Sequence, residues 1–317
     1  MGLFRRTADE GQRGPSASTE AAGAPQRSPA AADASGSAGV ATSATPVPAA
    51  ERGVAARTRD LVKVFGRGDT QVVALNRVSL DIYTGEYTAI MGPSGSGKST
   101  LMHCMAGLDH ITAGHVQVGG VDLAGLIDKE LTMLRRDKVG FVFQAFNLIP
   151  TLTARENILL PLTIAGRRPD QQWFDTVIAA TGLDDRLSHK PSELSGGQQQ
   201  RVACARALVS QPDIVFADEP TGNLDSVSSG EVLAFLRRSV DEFGQTVVMV
   251  THDATAASFT DRVIFLADGQ VVYELRHPTR LKVLEVLTDL DPRVGAAEGS
   301  HAHAVTGPSA SAQSQEA

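Results

Sequence analysis

The sequence predicts an α/β fold in which helices cover both faces of a mainly parallel sheet. Short apolar runs alternate along the chain with segments of helical periodicity, and strands that alternate with helices form parallel sheets. One apolar run, Tyr87 to Met91, leads into a glycine-rich loop, and a helix with Leu101, Met105 and Leu108 on one face follows it. We predict further strands at 139–143, 214–217, 246–250 and 263–266.

Shorter patterns on either side of these strands complete the predicted architecture. Apolar runs at 61–64, 72–75 and 78–82 precede the glycine-rich loop and predict a small antiparallel addition to the main sheet. Residues 232, 236, 240 and 243 are apolar at helical spacing, and Gly244 is the residue type that commonly ends a helix.

Both ends of the chain differ in composition from the part between them. Residues 1–56 are mostly Ala, Ser, Pro and Gly with almost no aromatic side chains, and the same composition returns at 291–317. Such segments bury too little apolar area to offset the entropy lost on ordering. We therefore predict two disordered tails and one folded domain at 57–290.

Charge and cysteine content limit the classes of function. The formal net charge of −7 disfavours binding to nucleic acid or anionic membranes by bulk attraction. The two cysteines cannot form a disulfide scaffold, which fits a reduced cytosolic setting. No apolar run approaches the roughly 18 residues that a membrane span requires, and no export signal is recognisable. We expect no direct membrane insertion, so contact with a membrane would need a partner protein.

A phosphate-binding loop follows the strand at 87–91. Residues 92–99 read Gly-Pro-Ser-Gly-Ser-Gly-Lys-Ser, which is the phosphate-loop (P-loop) pattern of nucleotide-hydrolysing proteins. Glycines let successive backbone N–H groups point at an anion, and the next helix adds its positive N-terminal end. The lysine can reach the β- and γ-phosphates of ATP, and the serine hydroxyl can ligate Mg²⁺. The predicted nucleotide-binding residues here are Gly92, Pro93, Ser94, Gly95, Ser96, Gly97, Lys98, Ser99 and Thr100.

Two acidic residues end another predicted strand. Asp218 stands at the tip of the run that begins at Ile214, and Glu219 follows it. A carboxylate at a strand tip can hold Mg²⁺ directly or through water, and the next carboxylate can act as a general base towards water. An acidic pair after a strand can also be an ordinary helix-capping turn, but its combination with a P-loop favours the catalytic interpretation.

A second anion-binding feature lies about a hundred residues after the first. Residues 194–201 read Leu-Ser-Gly-Gly-Gln-Gln-Gln-Arg, and the spacing of Ser195 and Gln198 predicts a capping box that starts a helix. A helix start with a serine hydroxyl and two glycines can bind phosphate without a lysine. The predicted ligand-binding residues here are Ser195, Gly196, Gly197 and Gln198.

This motif matches the signature of ABC ATPases, and the resemblance extends over essentially the whole folded part. It implies a RecA-like P-loop NTPase core, an α-helical signature subdomain at about 145–205, and head-to-tail homodimers that bury two ATP molecules. Phe65 resembles the aromatic residue that stacks on adenine, although a strand-end aromatic can also be structural. Gln144 resembles the glutamine that contacts Mg²⁺, His252 resembles the switch histidine at the γ-phosphate, and Asp225 lies in a loop similar to the one that crosses the dimer interface.

Two longer stretches, 143–154 and 218–226, are similar to the macrolide-exporter and lipoprotein-release ATPases of the MacB and LolD types. That resemblance implies an ATP-hydrolysing subunit, with Lys98, Gln144, Glu219 and His252 as catalytic residues, that energises a MacB/FtsX-like integral membrane permease. It also implies a cytoplasmic protein held at the inner face of the cell membrane by that permease. The alternative is a soluble ABC ATPase acting on ribosomes or DNA; a single P-loop, a single signature and no heptad insertion disfavour it.

Overall fold

The computed structural model describes residues 53–290. The strands are β1 (Val54–Phe65), β2 (Val72–Tyr83), β3 (Tyr87–Met91), β4 (Ala113–Val118), β5 (Val121–Asp122), β6 (Val139–Phe143), β7 (Ile214–Asp218), β8 (Val247–Val250), β9 (Arg262–Ala267) and β10 (Gln270–Arg276). The helices are α1 (Lys98–Met105), α2 (Asp128–Lys138), α3 (Ala154–Ile164), α4 (Gln171–Thr181), α5 (Gly196–Leu208), α6 (Ser226–Phe243), α7 (Ala254–Ala257) and α8 (Arg280–Leu290).

The central sheet has six strands in the order β10-β9-β3-β8-β7-β6. All neighbours pair in parallel except β10 and β9, which form an antiparallel pair at one edge. The strands β3, β7 and β8 are almost entirely apolar and buried, as expected for parallel strands covered on both faces. The predicted α/β fold with a mainly parallel sheet is confirmed.

A second, four-stranded sheet has the order β2-β1-β4-β5 and is antiparallel throughout. It confirms the predicted antiparallel addition, with two differences. The runs 72–75 and 78–82 are one continuous strand, because Arg77 takes a left-handed conformation with φ 55° that absorbs an irregularity without ending the pairing. Strands β4 and β5 were not predicted, because their short sequences contain glycine and polar residues and gain their stability from pairing.

The folded part begins earlier than predicted. Strand β1 starts at Val54, so the prediction that 1–56 is a disordered tail is wrong at 54–56. Ala55 and Ala56 are buried and the strand pairs with both β2 and β4, but alanine is also the commonest residue of the preceding stretch. Composition therefore could not separate them. The rest of the amino-terminal tail prediction and the whole of 291–317 lie outside the described residues.

Two apolar clusters lie against the faces of the central sheet. One contains the buried apolar side chains of α3, α4, α5 and α6, and the other contains those of α1 and of the antiparallel sheet. Helix α6 ends at Gly244 with φ 67°, as the sequence predicts.

The two free cysteines, Cys104 and Cys204, are buried, and burial raises the pKa of each thiol to about 12. In the range 53–290, no helix is both long and apolar enough to span a bilayer.

Strand β6 and helix α5 approach each other so closely at Gly140 that a side chain has no room. A Cβ atom there would lie 2.5 Å from the carbonyl oxygen of Ala207, whereas a Cβ atom at Gly230 in α6 would meet nothing within 4 Å. We expect Gly140→Ala to lower the free energy of unfolding by about 1–3 kcal/mol, because helix and strand must separate. Gly230→Ala is the matched control, and we expect it to raise stability by about 0.5–1 kcal/mol. Urea denaturation followed by circular dichroism measures both; equal stabilities of the two variants would contradict this packing.

Candidate functional site

The predicted nucleotide-binding and catalytic residues follow four neighbouring strands and lie at one edge of the central sheet. The strands β3, β8, β7 and β6 are adjacent and parallel, so their carboxyl ends meet at the same edge. The P-loop follows β3, His252 follows β8, Asp218 ends β7 with Glu219 next to it, and Gln144 follows β6. Ligands of open α/β sheets bind outside the carboxyl ends of the strands.

Two glycines of the P-loop occupy positions where a side chain has no room. A Cβ atom at Gly92, where φ is 146°, would lie 1.9 Å from the carbonyl oxygen of Leu266 on β9. At Gly97, which caps α1 with φ 98°, it would lie 2.4 Å from the carbonyl oxygen of Ala74 on β2. The two glycines therefore seat the loop against both sheets and leave its backbone N–H groups at the start of α1.

The lysine of the loop is folded back on it. Lys98 Nζ donates to the carbonyl oxygen of Gly92 at 3.0 Å and to that of Pro93 at 2.8 Å. Burial lowers the pKa of Lys98, and the carboxylates of Glu219 and Asp218 oppose that shift. An ammonium group held beside a curled backbone is a ready partner for a polyphosphate, which offers it better acceptors than two carbonyl groups do.

The hydroxyl group of Ser99, the residue after the P-loop lysine, contacts the carboxylate of Asp218. Ser99 Oγ donates to Asp218 Oδ1 at 3.3 Å, and His103 Nε2 lies 3.8 Å from Asp218 Oδ2. Burial raises the pKa of Asp218, and His103 opposes the rise. Sequence analysis missed His103; its spacing of four residues from Ser99 on α1, which puts both on one face, is the signal that could have found it.

The residue after Asp218 has a strained backbone. Glu219 takes φ 45°, a left-handed conformation that costs a residue with a Cβ atom about 1–2 kcal/mol. Its N–H donates to the carbonyl oxygen of Val250, and its Oε1 lies 3.0 Å from Nδ1 of His252. The carboxylate is partly buried and the imidazole is mostly exposed. The turn thus places a carboxylate, oriented by an imidazole, close enough to the P-loop for a charge interaction with Lys98.

Gln144 is joined to the loop after Glu219 by two reciprocal hydrogen bonds. Its Nε2 donates to Asn223 Oδ1 at 3.2 Å, and Asn223 Nδ2 donates to the carbonyl oxygen of Gln144 at 3.0 Å. Gly222 lies beneath this pair, and a Cβ atom there would lie 2.7 Å from Gln144 Nε2. Because Nε2 is bonded to Asn223, the amide oxygen of Gln144 remains as the group that can reach a ligand.

The signature residues begin α5 as the sequence predicts. Ser195 Oγ accepts from the N–H of Gln198 at 3.2 Å, and Gln198 Oε1 accepts from the N–H of Ser195 at 2.9 Å. Gly197 faces α6, where a Cβ atom would lie 2.6 Å from Ser228 Oγ. Asp225 caps α6 by accepting from the N–H groups of Val227 and Ser228, and the latter bond lowers the pKa of Asp225.

The aromatic ring of Phe65 lies at the end of β1, paired across the sheet with Val72. The residue is 42% exposed, and Lys63 Nζ lies 4.6 Å from the ring centroid. An exposed ring at a strand end that is not packed into a core can stack on a flat ligand.

Direct contacts therefore join the predicted catalytic and metal-binding residues. Hydrogen bonds, ion pairs or charge interactions connect Lys98, Ser99, Asp218, Glu219 and His252 into one group. Gln144 joins them through Asn223 and the turn in which the N–H of Gly222 donates to the carbonyl oxygen of Glu219. Within the described part of the chain, no hydrogen bond or ion pair links Phe65 or Ser195 to this group.

The group can hold a small hard cation only with help from a ligand. No cluster of three or more His, Cys, Asp or Glu side chains able to bind a metal occurs among residues 53–290. The Ser99 hydroxyl, the Asp218 carboxylate and the Gln144 amide are nevertheless oxygen donors of the kind that Mg²⁺ binds. Mg²⁺ is commonly held by one or two carboxylates together with substrate phosphates, so this set fits it as part of a nucleotide complex.

Comparisons with known proteins agree with this geometry. The family profile described as ABC transporter matches residues 75–222. The macrolide export ATP-binding/permease protein MacB of Marinobacter nauticus is 47% identical over 216 residues, which cover 68% of this chain and 33% of MacB. The lipoprotein-releasing system ATP-binding protein LolD of Geobacter metallireducens is 48% identical over 215 residues, which cover 67% of this chain and 96% of LolD. The chain thus spans about a third of the MacB relative and nearly all of the LolD relative.

A solved structure shares the architecture. The dimeric post-hydrolysis state of the ATP-binding cassette MJ0796, bound to ADP and Pi, aligns with a TM-score of 0.64 and 43% identity. The alignment covers 71% of this chain and 99% of that cassette, which comes from Methanocaldococcus jannaschii. From these matches and the site at the ends of its parallel strands, the chain belongs to the family of ABC transporter ATP-binding proteins.

Proposed function

We propose that this ABC ATPase is the energy-coupling subunit of a transporter of the macrolide-export and lipoprotein-release type, and that it drives a MacB/FtsX-like permease by ATP-dependent dimer closure. One observation carries the proposal. A complete phosphate-handling group lies at one sheet edge, while a second phosphate-binding helix start, at Ser195, has no hydrogen bond or ion pair to it within residues 53–290. A second copy of the chain would bring the two together.

ATP binding uses the residues of the P-loop and one aromatic ring. Adenine stacks on Phe65, and the backbone N–H groups from Gly92 to Thr100 surround the phosphates. Lys98 exchanges its two carbonyl acceptors for phosphate oxygens, which accept charge-assisted hydrogen bonds more strongly.

The bound nucleotide brings the remaining ligands of Mg²⁺ with its phosphates. Ser99, Asp218 and Gln144 would hold the ion, which neutralises the negative charge that develops on the phosphates during transfer. The hydrogen bond between Ser99 and Asp218 orients both groups beforehand. Asn223 keeps the amide oxygen of Gln144 free for the same purpose by binding its nitrogen.

Hydrolysis follows from the Glu219 and His252 pair. Glu219 accepts a proton from a water molecule, whose oxygen attacks the γ-phosphorus as the bond to the β-phosphate oxygen breaks and ADP leaves. His252 orients the carboxylate through their 3.0 Å contact and reaches the γ-phosphate with its other ring nitrogen. Because the imidazole is mostly exposed in the single chain, a closing partner would have to bury this site before water is excluded.

Dimer closure supplies that partner surface. The start of α5 offers the Ser195 hydroxyl and the N–H groups of Gly196 and Gly197 to the γ-phosphate held by the other subunit. Asp225 and the exposed side chain of Val227 lie beside it at the start of α6. The dimeric cassette bound to ADP and Pi, at 43% identity, supports this arrangement.

The permease would bind to the helical part of the molecule, which is the predicted helical subdomain at about 145–205. Ile149, in the loop after Gln144, and Ile164, at the end of α3, are 39% and 71% exposed. Burial of these two side chains against a partner helix would remove apolar surface from water. The MacB relative is named as a fused ATP-binding and permease protein, and the chain covers 33% of it. We accordingly place the protein in the cytoplasm, at the inner face of the membrane through its permease.

The role of Glu219 predicts a specific kinetic effect. We expect Glu219→Gln to lower the ATP turnover number by about 10²- to 10⁴-fold, because the amide keeps the shape but cannot accept the proton. Nucleotide should still bind, so the variant should accumulate as an ATP-bound dimer in size-exclusion chromatography. Glu242→Gln, an acidic-to-amide change at an exposed position near the end of α6, is the control. Turnover of Glu219→Gln at the wild-type rate would show that another group is the base.

The position of Lys98 predicts a different defect. We expect Lys98→Ala to weaken ATP affinity by at least about tenfold, because charge-assisted contacts to two phosphates are lost. Isothermal titration with ATP under non-hydrolysing conditions measures it, and adenosine is the matched ligand. Its binding to Phe65 should change little, whereas an unaltered ATP affinity would contradict the P-loop assignment.

The permease assignment can be tested in the organism's own membranes. We expect the Glu219→Gln form, with ATP, to co-purify with a polytopic membrane protein in stoichiometric amount from a detergent extract. Adding Ile164→Glu should abolish that recovery and leave the ATP-bound dimer intact, because a charge would replace an apolar contact with the permease. Recovery of ribosomes or DNA with either form would instead establish the soluble alternative.

A further inference from the structure

The loop after Gln144 contains two consecutive left-handed residues that are not glycine. Phe146 has φ 47° and Asn147 has φ 50°. Side chains disfavour this conformation, phenylalanine more than asparagine, and a run of two persists only where surrounding groups hold it. The N–H of Asn147 donates to the carbonyl oxygen of Ala145 within the turn, but this bond leaves the next two carbonyl groups to be satisfied from elsewhere.

Arg206 of α5 satisfies both carbonyl groups. Its Nη2 donates to the carbonyl oxygen of Phe146 at 2.8 Å, and its Nη1 donates to that of Asn147 at 2.6 Å. The flat guanidinium fork suits two neighbouring acceptors. No carboxylate forms an ion pair with Arg206 in the described residues, and burial lowers the pKa of its side chain. The guanidinium group is therefore partly shielded from water at the place where it donates to these two carbonyl groups.

The same turn touches the start of the signature helix. A methyl group at Gly196 would lie 3.8 Å from Phe146 Cζ and 3.6 Å from Leu224 Cδ2, both at ordinary contact distance. The ring of Phe146 thus lies beside the residue that follows Ser195. Arg206 holds the backbone of Phe146 from the far end of the helix whose start the ring contacts.

The turn is also continuous with the residues that face the cation site. Gln144 is two residues before Phe146 and is bonded to Asn223. On the other side, the buried Asn157 donates to the carbonyl oxygens of Ile149, Leu152 and Thr153. The segment 144–153 is therefore anchored at both ends, and Arg206 holds the strained turn between them.

We propose that Arg206 is a positioning residue that holds the left-handed turn at Phe146 and Asn147 and thereby couples Gln144 at one ATP site to Ser195 at the other. The coupling part rests on the proposed function, because Ser195 serves the partner's nucleotide only in the closed dimer. A change at Gln144 on ATP binding is transmitted through the turn to Phe146 and so to the signature residues. Arg206 lies outside the proposed nucleotide contacts and acts through the carbonyl groups of Phe146 and Asn147.

The first test measures the turn in the nucleotide-free protein and needs no ATPase activity. We expect Arg206→Gln to speed amide hydrogen exchange in peptides covering 145–150 by at least about tenfold, because two charge-assisted bonds are lost. Arg206→Lys keeps the charge and should give an intermediate increase. Arg136→Gln, which removes a guanidinium bonded to the neighbouring Asp137 on α2, is the control and should leave these peptides unchanged. Unchanged exchange in Arg206→Gln and Arg206→Lys would overturn the proposal.

The second test separates positioning from general stability by changing the turn itself. Asn147→Ala should imitate Arg206→Gln, because alanine tolerates the left-handed conformation less well, whereas Asn147→Gly should behave as wild type. In the Arg206→Gln background, Asn147→Gly should restore at least about a third of the lost exchange protection, since glycine adopts this conformation readily. Failure of the Asn147→Ala substitution to speed exchange would contradict the role of the turn even if Arg206 variants do not fold.

The third test measures coupling. We expect Arg206→Gln to lower the ATP turnover number by about tenfold with KM for ATP within about twofold, and to reduce the Hill coefficient to about 1, because binding at one site no longer reaches the other. Asn147→Gly should partly restore the turnover number of Arg206→Gln. A wild-type Hill coefficient in Arg206→Gln would overturn the coupling. A wild-type protein without ATPase activity would instead overturn the proposed function and leave the exchange result standing.

Discussion

The in-register pairing of the parallel strands β3, β8, β7 and β6 is the interaction on which the site depends. It continues beyond the strands: the N–H of Thr251 donates to the carbonyl oxygen of Ile90, and that of Glu219 donates to the carbonyl oxygen of Val250. Each loop thus leaves the sheet already bonded to its neighbour, and the P-loop, His252 and Glu219 have little freedom to separate. A slip of one residue would turn each of these side chains to the other face.

Close backbone contacts connect this edge to the rest of the molecule. Gly92 and Gly97 let the P-loop approach β9 and β2, and Gly197 lets the signature helix approach α6. A side chain at any of these positions would push two neighbouring elements apart. The distances that matter for phosphate chemistry are therefore set by packing between elements, and the reactive side chains are placed by that packing.

Polar side chains from the helical part connect it to the catalytic edge. The fully buried Gln200 donates to the carbonyl oxygens of Phe143 and Pro220, one on each side of the site, and Arg206 donates to the turn after Gln144. The acceptors of all these hydrogen bonds are main-chain carbonyl groups, so the helices and the catalytic edge are joined by more than apolar packing. Hydrogen bonds are directional, so such contacts fix a relative position where an apolar interface would permit sliding. These bonds therefore fix α5 relative to the ends of β6 and β7 and to the loop after Gln144.

The sequence by itself determined the features that depend on neighbouring residues: the strand–glycine loop–helix unit at Gly92, the acidic pair after β7, the capping box at Ser195 and the helix end at Gly244. Each follows from backbone geometry within about one turn or one strand, which periodicity reveals. Only the tertiary structure decided the rest. Strand β4 pairs with β1, and Val54 at the start of β1 pairs with Tyr83 on β2, so both depend on residues distant in the sequence. The contacts of His103 with Asp218 and of Arg206 with Phe146 span long stretches of chain. The spacing of His103 from Ser99 indicates that the two share a helix face, but only the fold brings Asp218 to that face.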